Sequence, residues 1–127
     1  MLDTDTVSYA LRGAGRVAER ILELHPATLC ISSLTLAELR FGADQRRSRR
    51  LHGLIRDFIA PLVVAPFDAA AADRFGQLGA LLMRQGTPIG QIDTLIAAHA
   101  LALDVCLVTN NARHFGRIRG LKTENWL

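Results

Sequence analysis

The sequence predicts a single α/β domain built around a parallel sheet. Three observations predict it. Short apolar runs alternate with amphipathic or alanine-rich stretches along the chain. The run at 105–109 is apolar almost without a break, as strands covered on both faces tend to be. No repeat or linker interrupts the 127 residues, a length that encloses one core of moderate size, so one domain over 1–127 is expected. A hydrophobic fraction of 50% with 21% charged residues excludes a disordered chain. No apolar run approaches the roughly 18 residues of a membrane span. The first residues carry no basic stretch followed by an apolar one, so a cytoplasmic location is expected.

Taken in order, residues 1–4 read as a first strand that ends on an acid. Helical material follows over 7–11 and 16–24, interrupted by Gly13 and Gly15. Residues 28–31 read as a second strand behind Pro26. Ser32 and Ser33 are natural N-caps for a helix to about Ala43. A further helix is expected over 49–59, and a third strand over 62–65 between prolines. Asp68 caps an alanine-rich helix to about Gln85, stopped by Gly86. The loop 87–90 leads to Asp93 and an apolar helix over 94–103. The strand at 105–109, a turn at Asn110 and Asn111, a short helix and a tail complete the chain. Phe58, Phe67 and Phe75 are expected in the core, His99 as a hydrogen-bonded core imidazole, and Trp126 packed in the tail or an interface. Cys30 and Cys106 lie in strand-like runs without a CxxC partner, which suits buried free thiols.

The placement of the 12 acids carries more information. Glu19, Glu23, Asp44, Asp57 and Asp73 fall on helices beside arginines, where solvated carboxylates are ordinary. Asp3 sits instead at the carboxyl end of the first strand, the edge where ligands bind in open α/β sheets. The plainer reading of Asp3 is a loop acid making turn contacts. Glu38 is spaced with Leu34 and Phe41 on one helical stripe, so its carboxylate turns toward apolar neighbours. Left unpaired there it would cost several kcal/mol or shift its pKa. A metal ion or an arginine would remove that penalty. Asp93 opens a helix that is apolar nearly all round, where it is either an N-cap or a ligand. If the sheet gathers these three acids at one edge, carboxylates without His or Cys suit a hard cation, Mg²⁺ or Mn²⁺.

The residues also carry a resemblance. Leu2-Asp3-Thr4-Asp5-Thr6 resembles the first-strand motif of PIN domains. The segment from Ile31 to Leu39, with Phe41-Gly42-Ala43, looks like their second motif. Gly86-Thr87-Pro88-Ile89-Gly90, with Asp93 and Ile96-Ala97-Ala98-His99-Ala100, is similar to a segment of the VapC toxins. Leu107-Val108-Thr109-Asn110-Asn111, Phe115, Gly120-Leu121 and Glu124-Asn125-Trp126 resemble the family's ending. The motifs run in order along essentially the whole chain. The resemblance implies a three-layer α/β/α fold and a metal-dependent endoribonuclease acting on structured RNA such as tRNA. It further implies Mg²⁺ or Mn²⁺, a homodimer and a VapB-like antitoxin protein. The family's metal-binding and catalytic acids carry over onto Asp3, Glu38 and Asp93, which would hold the ion and orient water for in-line attack on a phosphodiester. Asp5, Thr109, Asn111 and His114 would stand near that site. Departures are also visible: Asn110 and Asn111 follow the last central strand where many PIN domains have a fourth acid, and His114 stands where close VapC relatives commonly have Glu. Asp5 replaces the family's Asn.

Rival readings remain open at this point. Asp3-Thr4-Asp5-Thr6-Val7 also fits the DxDx[TV] pattern of haloacid-dehalogenase phosphatases. That chemistry needs a lysine ahead of the late acids, and the sole lysine, Lys122, comes after Asp93. A catalytically weakened PIN-like domain that binds RNA or a protein without cleavage is the stronger alternative. The net charge is +3, and the dense run holding Arg46, Arg47, Arg49 and Arg50 reads either as a solvated helix junction or as contacts to RNA phosphates. Aromatic residues, at 6% and scattered, form no base-stacking platform.

Overall fold

The sheet is built from strands of only two or three residues, and its order follows from how they pair. The computed structural model describes all of residues 1–127. After an extended opening segment come α1 (Thr4–Arg12), α2 (Val17–Leu22), a 3-10 turn (Pro26–Thr28), β1 (Cys30–Ser32) and α3 (Ser33–Gln45). They are followed by α4 (Arg49–Ile59), β2 (Val63–Ala65), α5 (Ala69–Arg84), α6 (Gln91–Leu103), β3 (Leu107–Val108), α7 (Ala112–Phe115) and β4 (Thr123–Glu124).

All pairings are parallel. β1 pairs with β2 in the register Cys30 to Val63, and β3 with β4 in the register Leu107 to Thr123. Leu2 bridges the two halves, paired with Ile31 on one side and Val108 on the other. The order is therefore β2, β1, the opening segment, β3, β4. The chain leaves the opening segment toward β1 and later returns to its other side as β3. That reversal makes the carboxyl ends of these central strands a topological switch point, where open α/β sheets bind ligands.

Alternation along the strands sorts the core into two layers. Met1 and Leu107 face a cluster with Leu78, Leu82, Ile96 and Phe115 from α5, α6 and α7. Leu2, Ile31 and Val108 face the opposite cluster with Val7, Val17, Leu39 and Ile55 from α1 to α4. The result is the expected three-layer α/β/α sandwich. Each fully buried leucine or isoleucine here, such as Leu2 and Ile31, contributes about 1.5–3 kcal/mol.

Several boundaries differ from the sequence expectation. The first strand is one bridged residue, because Thr4 already belongs to α1. Asp3 caps that helix by accepting from the Thr6 N–H at 2.8 Å, and Gly13 ends it in the left-handed conformation at φ 68°. The second strand begins at Cys30 because residues 26–28 coil into the 3-10 turn. Only Leu107 and Val108 remain of the strand expected at 105–109, while Thr123 and Glu124, expected as tail, add a strand. Ser32, not Ser33, caps α3, and Asp68 caps α5 as expected. Asp93 is not an N-cap: Gly90, at φ 96°, holds that position and Asp93 lies in the first turn. Phe41 leaves the expected stripe and is 68% exposed, since the buried face of α3 is Thr35, Leu39 and Ala43. Phe58, Phe67 and Phe75 are half-buried, as are the two free cysteines. Trp126 packs into the second core layer and donates its indole N–H to Glu124 at 2.8 Å. No helix is long and apolar enough to cross a membrane.

Candidate functional site

Three separate chain segments deliver acids to the switch point. Asp3 ends the opening segment, whose backbone is pinned where the Asp3 N–H donates to the Val108 carbonyl at 3.0 Å. Glu38 comes from α3, two turns after the Ser32 cap that launches this helix from β1. Asp93 comes from the first turn of α6, immediately before the buried run Ile96–Ala100. Together with Asp5, these acids line one cavity of about 160 Å³, completed by Thr4, Ile92 and Ile96. The structure thus brings Asp3, Glu38 and Asp93 to one cavity, with Asp5, expected near the site, also lining it.

Three of the four carboxylates, those of Asp3, Glu38 and Asp93, have one oxygen anchored by the protein. Asp3 Oδ1 takes the Thr6 N–H, leaving Oδ2 free of protein partners, and the residue is 7% exposed. Glu38 Oε1 accepts from the Thr4 hydroxyl, which also lies 3.2 Å from Thr35 Oγ1. Asp93 Oδ2 stands 3.2 Å from His114 Nδ1. Asp5 makes no side-chain hydrogen bond or ion pair. Partial desolvation, then the charges of Asp3 and Asp93, push its carboxyl above the ordinary carboxylate range against the pull of Arg12.

No basic side chain lines this cavity. Four acids therefore repel one another across a small volume, and a cation is the simplest relief. The donors are all oxygen, which fits a hard divalent ion. No three of these side chains stand close enough together to form a metal-ligand group. Glu38 and Asp93 are each turned to a protein partner, and Asp3 keeps one oxygen uncommitted. The residue set fits a divalent ion by the chemistry of its all-oxygen donors.

The other anticipated neighbours lie behind this cavity. Thr109 is buried, with its hydroxyl accepting from the Asn111 N–H at 3.0 Å. Asn111 Nδ2 lies 3.0 Å from His114 Nδ1. That imidazole nitrogen cannot serve both neighbours at once: protonated it donates to Asp93, and bare it accepts from Asn111. His114 is the one contact joining the loop after β3 to the acids. Sequence reasoning missed Thr4 and Ile92. The adjacency of Thr4 to Asp3 was the available signal, but its bond to Glu38 depends on how α1 crosses α3.

His99 is fully buried, with Nδ1 2.8 Å from Ser32 Oγ and its ring edge-on to Phe67 at 5.3 Å between centroids. Burial pulls its pKa below the usual imidazole value, outweighing Asp68 and the Pro66 carbonyl. Its Nε2 has no hydrogen-bond partner. It braces the cap of α3 and stays outside the acid cavity.

Comparison with known proteins points the same way. The PIN domain profile matches residues 1–121. A protein of Shigella flexneri described as tRNA(fMet)-specific endonuclease VapC is 39% identical over 99% of this chain and 96% of its own length. Ribonuclease VapC2 of Haemophilus influenzae is 37% identical over 100% of this chain and 97% of its own. Among solved structures, DNA-bound VapBC from Salmonella typhimurium superposes with a TM-score of 0.93 at 40% identity, covering 100% of this chain and 97% of that one. VapBC2 from Rickettsia felis, bound to a promoter DNA fragment, also gives 0.93, at 33% identity, with 100% and 98% covered.

Proposed function

The chain belongs to the PIN-domain family, and from that premise we propose that it is a metal-dependent endoribonuclease, the toxin of a VapBC-type toxin–antitoxin pair, cleaving structured RNA such as tRNA. The observation that carries this reading is one cavity lined by Asp3, Asp5, Glu38 and Asp93 with no basic residue among them. The endonuclease name of a 39% identical relative supports the substrate class. The VapBC complexes among the structural neighbours support a VapB-like antitoxin as partner.

We assign Asp3, Glu38 and Asp93 as the residues that hold a divalent ion, Mg²⁺ or Mn²⁺, with Asp5 adding negative charge beside them. When bound, such an ion neutralises charge on a phosphodiester and makes water a better nucleophile at neutral pH. The chain's own residues prepare that site. Thr6 fixes the rotamer of Asp3, Thr4 steadies Glu38, and His114 steadies Asp93. Ile92 and Ile96 close the α6 side of the cavity with apolar surface, which strengthens electrostatic contacts within it. Thr109 and Asn111 hold the loop that carries His114. Hydrolysis of the phosphodiester by in-line attack of water follows from this assignment.

The remaining assignments rest on the same family premise. One domain over residues 1–127 accounts for both core layers. A homodimer suits the apolar cavity between α5 and α6 and the exposed Met83 beside it. A reducing, cytoplasmic location suits two free thiols. Histidine rather than an acid at position 114 favours one second reading, a weakened domain that binds RNA without cutting it. Incubation of the purified chain with total tRNA, with Mg²⁺ or Mn²⁺ and with EDTA, separates the two. Discrete metal-dependent fragments are expected; intact tRNA in every lane, from folded protein, would replace the nuclease with the binder.

A further inference from the structure

Two more cavities continue from the acid site. One of about 150 Å³ shares Thr4 and Glu38 with it and reaches Arg12 and Arg46. The next, about 410 Å³, shares Arg12 and Arg46 with the second and adds Ser48 and Arg50. Together they make one groove between α1, α3 and α4, and its charge changes sign along its length: carboxylates at one end, guanidinium groups at the other.

These arginines lack acid partners. The arginines that do form ion pairs, Arg16, Arg20 and Arg56, line neither of the two further cavities. Arg12 lies over the Tyr9 ring at 5.1 Å and forms no ion pair. The turn between α3 and α4 sorts the arginine run. The Ser48 N–H donates to the Ala43 carbonyl at 3.0 Å, and Arg47 takes a left-handed φ of 51°. Arg46 and Arg50 then line the groove, while Arg47 and Arg49 do not. A polyanion approaching the acids is repelled by them, and unpaired cations beside them offset that repulsion. Guanidinium suits the task, because its planar fork bonds phosphate oxygens in pairs.

We propose that the Arg12, Arg46 and Arg50 end of this groove is a phosphate-binding subsite for the RNA backbone, holding nucleotides to one side of the linkage that the acids cut. The assignment rests on the nuclease reading and adds the direction in which the substrate strand leaves the site. Of the run singled out in the sequence it keeps Arg46 and Arg50, and it brings in Arg12 from a different helix.

The test measures binding of unfractionated tRNA to the full chain in Mg²⁺ across a salt series, in an Asp93→Asn background that removes cleavage. Arg12→Gln, Arg46→Gln and Arg50→Gln should each lower the slope of log affinity against log salt by about 0.7–1. Each should also weaken binding by about five- to tenfold near 0.1 M salt. Arg84→Gln, at the end of α5 outside the groove, should change neither. Unchanged slopes in the groove variants, an equal loss in Arg84→Gln, or no salt-dependent tRNA binding at all would overturn the subsite. The first of these is the result expected if the groove receives a protein segment instead. The nuclease reading is judged separately, by wild-type cleavage with and without metal: arginine-dependent binding without cleavage would keep the subsite and remove the enzyme.

Discussion

Acids on the helix surfaces and acids at the sheet edge are chemically alike, yet their surroundings differ in kind. Glu19, Glu23 and Asp57 each lie within 3.3–3.7 Å of an arginine one or three residues away, on the exposed surface. Asp3, Asp5 and Glu38 have no ion-pair partner, and Asp93 has only His114. Neighbours along a helix neutralise one another locally, at little cost and with little gain. Acids brought together from distant segments by the sheet have no such neighbour. Their excess charge is what the proposed function uses to hold a cation.

The largest effect should come from neutralising one edge acid. Asp3→Asn, Glu38→Gln or Asp93→Asn should each lower RNA cleavage by at least about a hundredfold, roughly 2.7 kcal/mol of transition-state stabilisation, measured as kcat/KM. Asp3 sharpens this, because it also caps α1. Asn caps as well as Asp, so Asp3→Asn should leave unfolding stability nearly unchanged, whereas Asp3→Ala should cost about 1 kcal/mol in denaturant titrations as well as activity.

The contact behind Asp93 should matter less. His114→Ala should weaken divalent-ion affinity by roughly tenfold, the lower range for groups that orient a ligand. His114→Glu, which adds a negative charge beside Asp93, should tighten it in calorimetric titrations. A loss of affinity in His114→Glu would break the view that charge limits this site.

Away from the edge, His99 should make stability depend on acid. Its folded pKa is depressed by burial, so the unfolded chain takes up the proton first. Stability should hold above the ordinary imidazole pKa of 6.5 and fall as pH drops below it toward the folded value. Thermal unfolding of His99→Gln should lack that part of the acid limb. The smallest effect belongs to the surface pairs: Arg16→Ala or Asp57→Ala should shift stability by no more than about 0.5 kcal/mol.

Much of this arrangement was legible wherever local chemistry decides structure. The Ser32 and Asp68 caps and the α4 span Arg49–Ile59 follow from side chains that bond their own helix starts. The sequence misleads where distant packing decides. Phe41 has helical spacing with Leu34, but α4 and the sheet cover the Thr35, Leu39 and Ala43 face instead. The alternative cap role weighed for Asp93 gave way to Gly90, whose positive φ no local pattern announced. The strands shrank to two or three residues, and the two halves of the sheet meet only through the single bridged Leu2. In the site, Asp3, Glu38 and Asp93 were each readable as misplaced acids. Arg12 was not, because nothing near it in sequence reveals that α1 lies against the α3–α4 turn.

Mn²⁺ binding followed by electron paramagnetic resonance tests the excess-charge claim most directly, since free and bound ion are counted without any substrate. The wild-type chain should bind the ion, and both Asp93→Asn and Glu38→Gln should weaken that binding at least tenfold while Asp57→Asn leaves it untouched. Equal Mn²⁺ affinity in all four proteins would mean that the ion sits elsewhere and that the gathered carboxylates do not hold it.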